Sequence, residues 1–538
     1  MLPMLFILVT SAAQGQDIQC PKRAELVEDG LLKWCQVVEK GGAKTKHGPI
    51  HDFYKGGEPK LNGTYRWGTK DGHWLSWYRN GQKQSDGYFD QDLISGAWTF
   101  WHSNAQIEST GSYVRGEKDG TWHYYFADGQ LRQEGAHRFG VHHGLWKEWD
   151  IGRGRSEGRY RNDLRDGNWS FWDAKGVLIE RGTYVEDHRE GRWTIFYENG
   201  YKKSEGVLRR GVQHGAWTTW YETGAKKEEG KYRRGTREGT WTSWFPSGAK
   251  ESLGGILEGK RDGEWISWFE SGQTKEKGMF AAGRRVGQWT TWHSNGQQAD
   301  EGKYSDDLQD GTWSEWFDNG RHRSTGDWVL GKREGKWTFW FKTGAPKEEG
   351  EFLGGQFHGE WTRWDIEGNE VERGNWREGQ RHGSWTTYFP GGHKKEQSQY
   401  ENGEPHGAWE TWHKNGQKAS EGSWDNGEKI GSWRTWHANG QAESTGSFDN
   451  GEKEGKWTFW HDNGQKAYVA EYVDDKPTGL WTSWYDNGKA EKQGNFEMGK
   501  EDGVWSYWYA NGALWMSGEY IDGRRTGEWD THYDNGQA

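Results

Sequence analysis

From residue 46 onward, apolar and polar positions follow one pattern with a 24-residue period. Gly, any residue, then Trp recurs in twenty copies from Trp74 to Trp529. A degenerate copy, Gly48-Pro49-Ile50, precedes them. The spacing is 24 except from Trp146 to Trp169, where it is 23 and one residue is missing around Ile151–Arg155. In the copy Gly215–Gly239, Ala216–Glu222 is rich in Trp, Thr and Tyr, residues that suit a pleated surface. Thr223-Gly224 follows. Sister copies carry Asn199-Gly200, Asn415-Gly416, Asn463-Gly464 and Asn487-Gly488 there, and Asn-Gly tolerates the positive φ of a two-residue hairpin turn. Lys226–Tyr232 reads as the return strand, and Gly235–Gly239 as a second turn into the next copy. The pattern predicts an all-β fold, an elongated antiparallel β-hairpin repeat array of about 21 units of 24 residues, as a twisted single-sheet or solenoid-like rod. Glycine recurs too often for helices, and Trp makes no sustained helical stripe.

A two-residue turn at Thr223-Gly224 also predicts a register. Glu222 pairs with Ala225, Trp220 faces Lys227, and Trp217 faces Gly230. Trp217, Thr219 and Tyr221 then share a face with Lys226, Glu228, Gly230 and Tyr232. Gly230 gives the Trp217 ring room over the backbone. Trp220 falls on the other face, in cation–π reach of Lys227. A bulge would swap the faces beyond it. Two strands rise roughly 9–10 Å per unit, so equivalent Trp residues are too far apart to stack directly. Return-strand aromatics such as Tyr232, Phe280, Tyr304, Phe448 and Tyr472 fill the gap, and this aromatic layer replaces a normal core. Each unit leans mainly on its neighbours.

Composition agrees with a repeat. The 538 residues include 42 Trp and 83 Gly but few aliphatics, which excludes a Leu/Val-cored globule, a helix bundle and a multi-span membrane protein. The net charge is −11, with both signs mixed along the chain, which argues against a nucleic-acid surface. Residues Leu2–Ala13 form a short apolar run with a small-residue exit, read as a signal peptide over 1–15, although no Lys or Arg precedes the run. The only two cysteines, Cys20 and Cys35, follow closely. In an exported chain they pair, which makes 16–45 a disulfide-stapled N-terminal cap and 46–538 the repeat array.

The unit resembles the MORN repeat, and more closely the variant found in bacterial proteins of the YwqK antitoxin type. The resemblance is carried by Glu421–Gln441 and Thr445–Ala467, with their Trp-x-x-Trp and Asn-Gly-Gln elements. It implies a hairpin sheet serving as a scaffold, an interaction surface or a lipid-associated platform, with an immunity role in some members.

The residues offer little catalytic chemistry. His102, His293, His413, His437 and His461 recur four residues after the repeat Trp, but the rise per unit is too large for one metal to bridge them. Carboxylate pairs such as Glu228-Glu229 are spread along the array rather than gathered in a cleft. No nucleophile-elbow, P-loop or zincin motif occurs. No enzyme, cofactor or metal is expected. The candidate binding aromatics are Trp217, Trp220, Tyr221, Tyr232, Trp433, Trp436, Trp457, Trp460, Trp481, Trp484 and Tyr485. Three local departures stand out: the Trp149-Asp150, Trp172-Asp173 and Trp364-Asp365 pairs, the shortened copy, and Lys394–Gln399, which lacks the return-strand Gly. The leading reading is a non-enzymatic, exported scaffold for protein–protein contact at the cell envelope. Alternatives are a glycan- or choline-binding module, with a cell-wall ligand, and an immunity protein. No nucleic-acid partner is expected, and charge gives no sign of a membrane surface.

Overall fold

A computed structural model describes residues 18–152 and 154–537. The signal peptide expected over 1–15 lies outside the described residues. Among the described residues every regular element is a β-strand. The chain divides into two compact units, Met1–Lys260 and Arg261–Ala538. Strands of the first run from Glu25–Asp29 to Lys250–Leu257, and those of the second from Lys260–Trp268 to Arg524–Thr531. Within each unit, successive strands pair antiparallel, as Val212–Trp220 does with Lys226–Arg233, and Arg284–Trp292 with Gln298–Ser305. The all-β hairpin array that the period predicts is the fold.

The turns differ from the expectation. Tyr221 N–H donates to the Ala225 carbonyl and Gly224 N–H to the Tyr221 carbonyl, both at 2.9 Å. This is a three-residue loop, a type I turn closed by Gly224 at φ +86°. The expected pairs Glu222–Ala225 and Trp220–Lys227 do not form. Trp220 faces Lys226, and Lys227 is left over as a bulge between that pair and Thr219–Glu228. Trp217 does face Gly230. The two-residue turn with two positive φ values exists, but it joins one copy to the next. It is Arg234 (φ 51°) and Gly235 (φ 82°), flanked by the pair Arg233–Thr236.

The Gly-x-Trp signature has a geometric cause. The pairs Glu229–Thr242 and Lys231–Glu238 leave extra residues on the outgoing strand, where Gly239 takes φ 74°. This bulge turns the Trp241 ring onto the backbone of Gly230, where an added Cβ would stand 2.2 Å from Trp241 Cδ2. Trp217 does the same to Gly206, and its Nε1 donates to the Val207 carbonyl at 2.9 Å. The rescue of a strand glycine by Trp is therefore real, but it acts on the preceding return strand, not within the hairpin. Tyr232 stands edge-on between Trp217 and Trp241, at 6.1 and 5.2 Å between centroids. Phe280, Tyr304 and Phe448 take the same place between their own Trp pairs, and Tyr472 packs in the cluster of Trp457. This is the aromatic layer that the sequence predicts.

The departures have local consequences. In the shortened copy, Trp146–Gly158 through Asp150–Gly154 pair without a bulge, so the missing residue is the hairpin's bulge residue. Asp173 and Asp365 cap their own turns, accepting from Val177 N–H at 2.9 Å and Asn369 N–H at 2.7 Å. Ser398 and Ala470 occupy return-strand glycine positions, opposite Trp385 and Trp457. The Trp residues due to lie on them, Trp409 and Trp481, are only half-buried.

At the N-terminal end, Cys20 and Cys35 form a disulfide with Cα atoms 5.5 Å apart. Cys35 is fully buried beside Gly48, where an added Cβ would meet Pro21 Cδ at 2.6 Å. Ile50 takes the Trp position, buried opposite Gly63. The cap segment is itself part of the hairpin ladder, because Glu25–Asp29 pairs with Leu32–Val38 and that strand with Lys44–Phe53.

Candidate functional site

Strand alternation divides the candidate aromatics between two faces. Trp217, Trp433 and Trp457 are buried, at 6%, 5% and 3% exposure, so their rings serve the core rather than a ligand. Trp481 and Tyr232 lie half-buried in the same layer. Trp220, Trp436, Trp460 and Trp484 are half-buried on the opposite face, where cations from the preceding return strand cover several rings of this type. Lys202 Nζ lies 5.4 Å from the Trp220 centroid, and Lys418 Nζ 5.9 Å from that of Trp436. The expected Lys227–Trp220 contact is replaced, because the bulge carries Lys227 over Tyr221 at 5.5 Å while Lys226 reaches Trp244 at 5.4 Å. Carboxylates complete this face. Lys418 donates to Glu410 and Glu421, each at 2.8 Å, and these bonds hold its ammonium above the usual lysine range.

Tyr221 and Tyr485, with the recurrent histidines, tie copies together. Tyr221 Oη donates to the Trp244 carbonyl at 2.9 Å, and Tyr485 to that of Trp508 at 2.7 Å. His413, His437 and His461 place Nε2 at 2.7, 2.9 and 2.8 Å from the carbonyls of Trp436, Trp460 and Trp484. His102 and His293 bond Tyr125 and Trp316 alike. A carbonyl accepts only from N–H, so Nε2 carries the proton in each ring. The turn asparagines work beside them. Asn199 Nδ2 donates to the Glu222 carbonyl at 2.8 Å while its Oδ1 accepts from Tyr201 N–H. The Asn of these Asn-Gly pairs is therefore a tether, and only its Gly needs the left-handed backbone.

A basic lid over the core went unread in the sequence. Arg237, four residues before Trp241, holds its guanidinium 4.1 Å from that ring's centroid and donates to Glu228 at 2.8 Å. Arg189 and Arg381 cover Trp193 and Trp385 in the same way, as do Lys429 and Lys453 over Trp433 and Trp457. The signal was available: Lys or Arg recurs four residues before the Trp. Where His137 replaces the return-strand aromatic, its ring stands edge-on to Trp146 at 5.1 Å. Nδ1 donates to the Gly140 carbonyl at 3.2 Å, and Nε2 accepts from Tyr124 Oη at 2.9 Å. Burial, with His142 and Lys118 nearby, pulls the His137 pKa down to about 4.

Among the described residues no group of three His, Cys, Asp or Glu is placed to hold a metal, and no helix is long and apolar enough to cross a membrane. Within each unit, neighbouring copies present rings and cations side by side and are tied to one another by side-chain bonds to backbone carbonyls.

The MORN repeat variant model matches eight segments: 70–91, 213–234, 261–282, 381–402, 405–426, 453–474, 477–498 and 501–522. Each matched segment begins four residues before a core Trp and ends at the first residue of the turn between copies. The chain carries MORN-variant repeats. The match identifies the repeat and does not extend to the antitoxin subgroup. No curated protein is significantly similar to the chain. Among solved structures, one titled "Crystal Structure of TcdB2-TccC3-Cdc42" aligns with 92% of this chain at 11% identity and a TM-score of 0.12. The aligned region spans 31% of that chain.

Proposed function

We propose that this protein is a non-enzymatic scaffold that presents the second-Trp face to a protein partner in an oxidising, exported compartment. One observation carries the reading: the same bracing bond, from the Tyr or His after the second Trp to the carbonyl of the next copy, recurs along both units. Such bracing holds many equivalent contact points in fixed register, which suits an extended partner better than one small ligand. Lysines already stand over Trp220, Trp244 and Trp436, where a quaternary ammonium ligand would sit, and this favours a protein partner over a choline-type one. The Cys20–Cys35 disulfide supports export.

The test is a pull-down from envelope and secreted fractions with purified residues 20–538. A stoichiometric protein that is lost when Trp220, Trp244 and Trp436 are changed to Ser supports the proposal. Retention on peptidoglycan or polysaccharide, with no protein recovered, sinks it.

A further inference from the structure

Sister copies show what is missing beside Arg333. Arg237 donates to Glu228 at 2.8 Å, Arg189 to Glu180 at 3.0 Å, and Arg381 is bonded to Glu372. In each case the acid stands nine residues before the arginine. Nine residues before Arg333 stands Ser324, whose side chain is too short to reach it. Ser324 is 1% exposed, yet its Oγ has no hydrogen-bond partner, and the buried Nε of Arg333 has none either. Serine at this place is not enough to explain the vacancy. Ser420 and Ser444 are bonded across the strand to Thr411 and Thr435, at 2.6 and 2.7 Å. Ser324 faces Glu315 instead.

A cavity of about 470 Å³ opens at this point, walled by Phe317, Phe339 and Phe341, with Arg333 and Ser324 on its lining. That volume suits a small ligand. The guanidinium is held in place over Trp337, 4.5 Å from its centroid, and over Phe339 at 5.2 Å. The two carboxylates in the wall are already engaged, Glu315 by Arg323 at 3.8 Å and Glu348 by Arg363 at 3.0 Å. Burial pulls the Arg333 pKa below the usual arginine range even though Glu315 and Glu348 act against it through space, so the site carries a partly desolvated cation whose Nε has no hydrogen-bond partner.

We propose that this cavity binds a small organic anion, a carboxylate carried on a flat apolar or aromatic body. The carboxylate replaces the glutamate of sister copies, accepting from Arg333 and from Ser324 Oγ. The body lies against Phe317, Phe339 and Phe341.

The experiment is calorimetric titration of the full chain with 3-phenylpropionate and with its neutral primary amide. The acid is expected to bind at millimolar or lower concentration, and the amide at least about tenfold more weakly. Ser324→Glu supplies the missing carboxylate from the chain itself, as Glu228 does, and is expected to abolish binding. Hydrogen exchange over 320–341 checks that this variant is folded, and is expected to be unchanged or slower than in the wild type. No binding of the acid to the wild type, equal affinity for the amide, or wild-type binding by a folded Ser324→Glu variant would each overturn the proposal.

Discussion

Gly230→Ala tests the packing rule on which nearly every copy depends. Its Cβ would stand 2.2 Å from Cδ2 and 2.3 Å from Cε2 of Trp241, closer than a real Cβ contact, so the ring must leave. Natural exceptions show where it goes. Above Ala470, Trp481 is only half-buried, its Nε1 has no partner, and the ring stacks on Tyr468 at 4.5 Å. Displacing Trp241 would cost its bond to the Lys231 carbonyl, worth about 1 kcal/mol. Uncovering about a third of a ring of ~200 Å² adds about 1.5–2 kcal/mol. Replacing glycine in a strand returns about 0.5–1 kcal/mol. The net loss is about 2 kcal/mol, confined to the neighbouring strands because stability in such arrays is local.

Hydrogen exchange of peptides spanning 226–245 in the full chain reads this loss as about thirtyfold faster exchange. The converse variant, Ala470→Gly, is expected to slow exchange over 466–485, by less, because Tyr468 already packs on Trp481. Unchanged exchange in Gly230→Ala, or faster exchange in Ala470→Gly, would refute the reasoning.

Three further outcomes are expected. Tyr221→Phe removes the bond to the Trp244 carbonyl and should lower local stability by about 1 kcal/mol, seen as roughly fivefold faster exchange over 236–250. His137 has a folded pKa of about 4 against 6.5 unfolded, so the unfolded chain takes up the proton first. Its contribution is full above pH 6.5 and falls as pH drops towards 4, by about 2–3 kcal/mol in all. Exchange over 131–146, corrected for intrinsic rates, should show that slope, and His137→Phe should remove it. Reduction of Cys20–Cys35 should loosen the first strands, by up to about 3 kcal/mol on the chain-entropy account. Limited proteolysis should then cut within 18–45 before any site in the repeats.

The hairpin array, the Trp217–Gly230 pair and the aromatic layer were legible because each follows from a period and a residue type. The turns were not, because Asn-Gly serves two geometries. At Asn450-Gly451 both residues take positive φ, whereas at Asn199-Gly200 only the glycine does. Telling them apart requires counting residues between paired positions, and one bulge changes that count. The bulge at Lys227 moved the cation from Trp220 to Tyr221 and so altered the candidate face. The role of the residue after the second Trp was hidden for another reason. Tyr221 and His413 look interchangeable as semi-exposed sheet residues, yet both reach a carbonyl 23 residues further on. Alternation of Tyr with His, whose polar tips project similarly far, was the available sign.

Uniformity and specificity occupy different positions in this chain. A residue shared by nearly every copy, such as the glycine under most core Trp residues, answers a constraint that those copies have in common, so it reports packing. A residue that breaks the pattern is informative when its neighbours have not adjusted to it. Asp365 in place of an aromatic caps its own turn, and both of its carboxylate oxygens accept there from Asn369. Ser398 removes a glycine, and the ring above it relaxes. Ser324 differs from both, because its hydroxyl and the Arg333 Nε stay buried and unpartnered beside an open cavity. Unmet hydrogen-bonding capacity in a low-dielectric site costs about 1–3 kcal/mol, and a bound anion would remove that cost. The shared residues therefore specify the fold, and any activity particular to this protein is best sought where a departure leaves a polar group unsatisfied.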